Sequence, residues 1–403
     1  YTSAIYEKKY SASTDAIFAQ KYGAYYKADA STRQLYGDVM LNIDKYFGDF
    51  SLTGTVGVSI QDLDYQYYSV GGDLNSVANS FTLKNLNQSN AEFDQDGYHD
   101  QTQSIFATAQ LGWQSKLYLD VTGRIDWSSA LAWTETKSVA YPSVGLSAIL
   151  TDLLPIRSDV LTFLKLRGSY SEVGNAPTRY IAYQTHPYQS GTPSTTSTYP
   201  NSDIKPERTK AWEVGLQSRF WGDKLALNVS LYKTSTFNQL FNPSLPSSSG
   251  YSSIYINGGQ VDNKGIEASL SLSQALGPVE WNSTLTYTIN RNKIKKLLKP
   301  TTLKDGLLVE QDMLDLDGVG NVKTRLFEGG SVGDLYVTAL RTDEHGYIDV
   351  DYVNNTVSVD GNAGERGDGW IYAGNSQAKY TMGWRNSFSW KGLTFGFLIN
   401  ARV

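Results

Sequence analysis

Alternation of apolar and polar residues at every second position is the dominant pattern in this sequence. The clearest case is Ala211–Tyr232, where an alternating segment reaches Gly222-Asp223 and the alternation then resumes. One parity carries Trp, Val, Leu and Phe, and the other carries mainly Glu, Gln, Arg, Asn and Ser. Successive side chains of a strand point to opposite faces, so this pattern around a glycine-containing turn predicts an amphipathic β-hairpin.

The hairpin pattern recurs along the chain, and the connections between strands alternate in length. At least five more pairs are predicted, at Arg33–Ile60, Ile105–Trp127, Pro142–Glu172, Ile266–Asn290 and Tyr380–Arg402. Turns within a pair are short. Between pairs we predict long loops over residues 61–102, 128–141, 173–208 and 235–260, and an irregular stretch after residue 290 with one further hairpin near 333–341. Short periplasmic turns alternating with long extracellular loops are typical of transmembrane β-barrels of outer membranes.

Composition permits this all-β, antiparallel barrel. The mean hydropathy of −0.36 and the lack of a long apolar run exclude a helical membrane protein only, because short alternating strands average out in hydropathy windows. The absence of Cys among 403 residues excludes disulfides, thiolate metal sites and Cys nucleophiles. A formal net charge of −5 argues against non-specific nucleic-acid binding.

Aromatic and charged residues fit the same architecture. Aromatic residues flank the predicted short turns and would form the periplasmic girdle, with ordinary packing within hairpins as the alternative: Phe47, Phe50, Trp113, Tyr118, Phe220, Trp221, Trp281 and Trp390. Charged residues on the polar strand faces would be costly in lipid, so we expect them to face the lumen: Arg124, Asp126, Arg167, Glu213, Arg219 and Glu267.

Several blocks, in order along the chain, resemble the SusC/RagA-type TonB-dependent transporters of the Bacteroidetes outer membrane. They are Tyr118–Ser129, Leu164–Asn175, Ile204–Gly215 and Asn257–Leu270, followed by Gly374-Asn375, residues 383–386 and Ile399–Arg402. The resemblance implies that residues 1–403 are the middle part of a 22-stranded barrel. It also implies that the N-terminal plug, the first strands and the last strands lie outside this sequence.

The resemblance further implies an active importer in the bacterial outer membrane, with no enzymatic activity and no cofactor. A SusD-like surface lipoprotein would cover the long loops, and the TonB–ExbB–ExbD complex would supply energy through the plug. Oligosaccharides are the commonest cargo of such transporters and oligopeptides are the rival. The inward charges would then pair mostly with groups of the plug.

Aromatic residues of the predicted loops are the candidate contacts for substrate or partner: Tyr65, Tyr67, Tyr68, Trp133, Tyr183, Tyr188, Tyr251 and Tyr255. Rigid aromatic rings stack on sugars and grip peptides, but they can equally pack loops against one another. Lys293, Lys295, Lys296 and Lys299 could meet the phosphates of lipopolysaccharide or form a solvated basic rim.

Catalytic and metal-binding patterns find little support. His99, His186 and His345 lie in predicted loops without paired metal-ligand spacing, and there is no nucleophile elbow or phosphate-binding loop. The segment around Asp315 weakly resembles a calcium loop, and a solvated acidic turn is the alternative reading.

Two other classes of protein stay open from the residues alone. A passive porin or adhesin-like barrel would share the strand pattern but lack a plug. A soluble carbohydrate-binding β module would fold as a monomer in water, whereas a membrane barrel depends on lipid or detergent.

Overall fold

The computed structural model describes residues 1–13, 21–156, 158–189, 191–245, 247–298, 301–302, 306, 308–309 and 313–403. Antiparallel strands dominate it, as predicted. The strands of the N-terminal part are β1 (Thr2–Tyr10), β2 (Ala24–Phe47), β3 (Phe50–Asp73), β4 (Glu92–Trp113), β5 (Leu117–Ser128), β6 (Val139–Ile149) and β7 (Leu161–Asn175).

The central strands include four of only two residues. They are β8 (Tyr188–Gln189), β9 (Thr192–Pro193), β10 (Thr198–Tyr199), β11 (Glu207–Phe220), β12 (Leu225–Phe241), β13 (Ser253–Ile254), β14 (Ile256–Leu276) and β15 (Val279–Lys296).

The C-terminal strands complete the set. They are β16 (Thr301–Thr302), β17 (Leu308–Val309), β18 (Met313–Val319), β19 (Val322–Phe327), β20 (Asp334–Thr338), β21 (Val350–Asp351), β22 (Thr356–Val357), β23 (Trp370–Asn375), β24 (Thr381–Trp390) and β25 (Leu393–Arg402). In the described ranges, helical structure consists of α1 (Leu150–Leu153) and 3₁₀ turns at Leu83–Asn85, Ser129–Leu131 and Ser247–Ser249. Among the described residues, no helix has the length and hydrophobicity needed to span a membrane.

Thirteen of these strands form one antiparallel sheet, in the order β1-β2-β3-β4-β5-β6-β7-β11-β12-β14-β15-β24-β25. The hairpin predicted at residues 211–232 is confirmed as β11–β12, with Phe220 opposite Leu225. Its turn covers residues 221–224 rather than two residues, and Gly222 adopts a φ of 64°, which glycine tolerates best.

The register gives the sheet two chemically different faces. Val214, Leu231 and Ile266 stand directly opposite one another on three neighbouring strands, and all three are exposed. The residues between them along each strand point to the other face, which carries Arg, Glu, Ser and Thr. We call these the apolar face and the polar face. A sheet with one exposed aliphatic face and one polar face is the wall of a transmembrane barrel, as predicted.

The prediction of a loop over residues 61–102 is wrong. β3 continues to Asp73 and β4 begins at Glu92, so only residues 74–91 connect them. Beyond residue 60 of β3 and before residue 103 of β4, both faces of these strands are polar. Asp62 and His99 lie on the face that is aliphatic nearer the short turns. The alternation of hydropathy therefore disappears, although the backbone pairing continues. The loop predicted at residues 235–260 shrinks for the same reason to residues 242–255.

Two further elements depart from the sequence expectations. β1 pairs with β2 but carries too little alternation to be predicted. The hairpin expected near residues 333–341 is also wrong, because β20 is one strand of a separate four-stranded sheet ordered β18-β19-β20-β23. We call this the small sheet. Its last strand comes more than thirty residues after β20, so no local hairpin signal marks the pairing.

Candidate functional site

The long connections meet at one end of the main sheet, opposite the short turns. We call residues 129–138, 176–206 and 242–255 the outer loops. Backbone contacts interlock them: the Glu135 N–H donates to Ser202 O at 3.1 Å, and the Ser252 N–H donates to Ser197 O at 2.7 Å. Hydrophobic side chains such as Leu131 and Ile204 are almost fully buried between them. The outer loops therefore form one packed body at the mouth of the wall.

Asn257, at the start of β14, ties the end of the second outer loop to the sheet. Its Oδ1 accepts from the Lys205 N–H at 2.6 Å, and its Nδ2 donates to Lys205 O at 2.7 Å and to Asn238 O at 2.8 Å. Asn257 opens the sequence block that resembles the family segment. An amide satisfies both a backbone donor and two acceptors here, which no aliphatic side chain can do.

Replacing Asn257 by Ala should loosen the second outer loop. Three hydrogen bonds are lost, each worth about 0.5–1.5 kcal/mol net, so the amides of residues 196–206 should exchange with solvent at least tenfold faster. Hydrogen exchange with mass spectrometry on the full-length receptor measures this. Asn354→Ala is the control, since the hydrogen bonds of Asn354 in the described part of the chain go to nearby Asp351. Unchanged exchange in Asn257→Ala would contradict the proposed role of Asn257.

Two of the predicted aromatic contacts come together in the outer loops. The rings of Trp133 and Tyr183 stack at 4.6 Å between centroids with an interplanar angle of 29°. Trp133 is 54% exposed and Tyr183 51% exposed, so each ring keeps much of its surface in solvent. Stacking fixes the orientation of both rings while leaving an aromatic surface available to a ligand.

A second aromatic group lies on the polar face of the long strands β3 and β4. Tyr65 stacks on Tyr98 at 5.0 Å, and the Arg179 guanidinium lies 3.5 Å from the centre of the Tyr98 ring. Arg179 also donates to both carboxylate oxygens of Asp100, with Nε 3.2 Å from Oδ1 and Nη2 2.6 Å from Oδ2. This group was not predicted, because Arg179 lies 79 positions from Asp100 in the sequence and no local pattern links it to Asp100 or Tyr98.

The other predicted aromatic contacts are dispersed. Tyr65, Tyr67 and Tyr68 lie in β3 and not in a loop, and Tyr68 belongs to the apolar face, pointing away from the lumen. Tyr251 packs edge-on against Tyr199, and the carbonyl of Tyr255 accepts from Asn201 Nδ2, so both stabilise loop packing. Tyr188 is 77% exposed in a two-residue strand. Their contact with a substrate stays a prediction.

The predicted inward charges share the polar face and pair mostly with one another. Arg124 donates to Asp126 at 2.6 Å, and Arg167 donates to Glu213 at 3.0 Å and to Ser230 Oγ at 2.7 Å. The Arg167 side chain lies flat over Gly215, where a β-carbon would come within 2.5 Å of its Nε. These pairs are therefore internal to the wall.

The remaining two inward charges behave differently. Arg219 lies near the short turn, 3.5 Å from Asp223 and over the Phe163 ring. Glu267 is exposed, and within the described residues its carboxylate has no hydrogen-bond or ion-pair partner. Glu267 is thus the inward charge best placed to meet a group supplied from the lumen, and pairing with a plug stays a prediction for all six.

The small sheet contains a charge cluster around a buried arginine that was not predicted. The Arg325 side chain is 5% exposed and contacts Asp315 at 2.9 Å and Asp368 at 2.6 Å, while Lys323 also pairs with Asp315. Burial alone would raise the pKa of Asp368, but its hydrogen bonds from Arg325 and the Trp370 N–H outweigh burial and hold the pKa below its ordinary value. Asp315 lies in a paired strand, so the acidic turn expected there is wrong, and its carboxylate is engaged by cations rather than free for calcium.

Among the described residues, neither the histidines nor the predicted lysine cluster is gathered into a metal or anion site. His99 lies in β4 rather than in a loop and contacts Asp62 at 2.7 Å. Across the described ranges, no three His, Cys, Asp or Glu side chains gather as a metal site. Lys293, Lys295 and Lys296 are exposed at the end of β15, and Lys299 lies outside the described residues.

Comparison with known proteins agrees with this geometry. A family model described as "TonB dependent receptor-like, beta-barrel" matches residues 2–397. TonB-dependent receptors P26 and P3 of Formosa agariphila are 26% and 25% identical over 84% and 90% of this chain, which spans 35% and 38% of their lengths. The solved RagAB peptide transporter superposes with a TM-score of 0.70 at 20% identity, covering 94% of this chain and 42% of that one. The outer membrane transporter YddB of Escherichia coli gives a TM-score of 0.53 at 11% identity, covering 98% and 46%.

Proposed function

Because the chain belongs to the TonB-dependent receptor β-barrel family, we propose that the complete receptor is an active importer of large nutrients. Members of this family are outer-membrane transporters and not enzymes, so the location and the non-catalytic role predicted from the sequence are confirmed. The chain spans about a third of the length of the curated relatives. We propose that residues 1–403 form part of the barrel domain, with the plug and the remaining strands in other parts of the receptor.

We propose oligosaccharides as the cargo, captured at the outer loops beneath a SusD-like surface lipoprotein and driven inward through TonB. The observation that carries this proposal is the half-exposed Trp133–Tyr183 stack in the outer loops, at the mouth of the wall. Sugar rings present flat apolar faces that pack on such aromatic surfaces, while their hydroxyls bond to surrounding polar groups. Oligopeptides are the second candidate, because exposed rigid rings also anchor peptides.

The aromatic stack can be tested by binding. Replacing both Trp133 and Tyr183 by Ala in the full-length receptor should weaken oligosaccharide binding at least tenfold, or about 1.4 kcal/mol. Calorimetric titration with panels of oligosaccharides and oligopeptides measures the effect and identifies the class. Tyr352→Ala is the matched control, since Tyr352 is 86% exposed but lies outside the outer loops. Unchanged affinity for every oligosaccharide would contradict the proposed cargo.

Energy coupling separates an active importer from a passive porin. Cells that express the full receptor and its lipoprotein should stop importing the bound cargo when TonB is deleted, while surface binding continues. Import that persists without TonB would instead favour the passive barrel.

A further inference from the structure

A row of cations crosses three neighbouring strands on the apolar face. Lys233 of β12 stands opposite Lys264 of β14, which stands opposite Arg291 of β15. All three are exposed. Like charges directly opposite each other in a sheet are destabilising, so this arrangement costs stability unless a counter-charge is provided.

The chain provides little of that counter-charge. Lys233 lies 3.8 Å from the nearly buried carboxylate of Asp262, which also stands opposite Lys293 in the next row. Lys264 has no ion pair within the described part of the chain. Arg291 donates to the carbonyl oxygens of Asn290 and Lys379 at 3.1 and 2.7 Å. The row therefore keeps a net positive charge on an outward-facing surface.

An apolar groove begins directly beside this row. Its volume is about 610 Å³, with Lys233 and Lys264 at one end, and its apolar walls are Val144, Leu146, Tyr170, Trp212, Val214 and Leu231. The groove exists because Gly168 stands between Leu146 and Val214 and has no side chain. A β-carbon at Gly168 would find its nearest neighbour, the carbonyl oxygen of Glu213, at 3.9 Å, so the space is open.

The position of this surface relative to the membrane follows from the strands. Trp212 and Tyr170 pack together at 4.4 Å on the side of the long connections. Lys264 and Arg291 lie twelve residues from the short-turn ends of β14 and β15, at Leu276 and Val279, which is roughly 40 Å along the tilted strands. Tyr and Trp mark the membrane–water interface, and the short turns mark the periplasmic end. The cations thus lie at the level of the outer headgroups, and the groove descends into the hydrocarbon.

We propose that this surface binds a phosphate-bearing anionic lipid of the outer leaflet. Its phosphate lies against Lys233, Lys264 and Arg291, and one acyl chain fills the groove over Gly168. The continuity of cations with an apolar groove selects a lipid over a free phosphate, which has no use for the groove. The lysines predicted to meet lipopolysaccharide follow Arg291 in the sequence: Lys293, Lys295, Lys296 and Lys299. The proposed site instead uses residues of three neighbouring strands.

Native mass spectrometry of the full-length receptor in detergent, titrated with diphosphoryl lipid A, tests the proposal. The triple variant Lys233→Gln, Lys264→Gln, Arg291→Gln should bind lipid A at least tenfold more weakly. It should still fold, because it removes repulsion. Lys45→Gln, Lys116→Gln, Lys224→Gln is the matched control, with the same charge change at the short-turn end, and should bind like the wild type.

Two further measurements distinguish binding of a whole lipid from binding of a phosphate group alone. Gly168→Leu leaves every cation in place but fills the groove, and should weaken lipid A binding at least threefold. Inorganic phosphate at millimolar concentration should displace little of the bound lipid. Wild-type affinity in the triple variant, no effect of Gly168→Leu, or full displacement by inorganic phosphate would each overturn the proposal.

Discussion

Replacing Val121 by Arg should lower the free energy of unfolding of the full receptor in lipid bilayers by about 2–4 kcal/mol. Val121 lies near the middle of β5 on the apolar face, 48% exposed, opposite Val144 and Ala109. At the bilayer midplane a charge on the lipid face of a barrel costs this much, because neither water nor a counter-ion reaches it. Denaturant titration of the receptor reconstituted in phospholipid vesicles measures the change.

The neighbouring residue supplies the control. Thr122 points to the polar face, in a cavity that Asp44 and Asp120 also line, so an Arg there meets carboxylates. Thr122→Arg should change the free energy of unfolding by less than about 1 kcal/mol. Equal losses in the two variants would show that the assignment of the faces to lipid and lumen is wrong.

Arg325→Met should unfold the small sheet locally. The substitution keeps the side-chain volume roughly constant but leaves Asp315 and Asp368 without their common cation, and it removes the guanidinium beside the rings of Trp370 and Tyr336. Arg325 is buried, but both carboxylates are about a third exposed and Lys323 still pairs with Asp315, so the lost charged hydrogen bonds should cost about 1.5–3 kcal/mol. Limited proteolysis and hydrogen exchange over residues 313–375 should report a loss of protection there, with the main sheet unchanged.

An exposed pair of the same chemistry is the comparison. Arg341 lies 3.9 Å from Asp349, and both side chains are about half exposed, so Arg341→Met should cost less than about 1 kcal/mol. If hydrogen exchange shows the same protection in both variants, the contacts of buried Arg325 do not stabilise the small sheet.

The sequence was sufficient for the part of the fold that lies in lipid. There, the membrane imposes a strict rule on alternate residues, so the hairpin of β11 and β12 and the placement of Arg167 and Glu213 on the polar face follow from parity alone. The same blocks carried the family resemblance, and the family is confirmed.

The sequence was insufficient wherever water lies on both faces. Above the membrane, β3 pairs with its neighbours as far as Asp73, but hydropathy no longer alternates there, so the strand resembles a loop. The pairing of β20 with β23 and the Arg179–Asp100 contact join residues far apart in sequence, so neither has a local signal. Trp133 and Tyr183 were predicted individually, but only the structure shows that they stack.

The unequal strand lengths have a mechanical consequence for the mouth of the barrel. β3 has 24 residues and β6 has 11, so at roughly 3.3 Å per residue one side of the wall is about 40 Å longer along the strand than the other. The tall side is a continuous backbone ladder, whereas the low side is completed by the outer loops, which are joined by individual backbone hydrogen bonds and side-chain packing. We therefore expect any movement that opens the mouth to involve the low side, where the outer loops lie, while the ladder of β3 keeps its place.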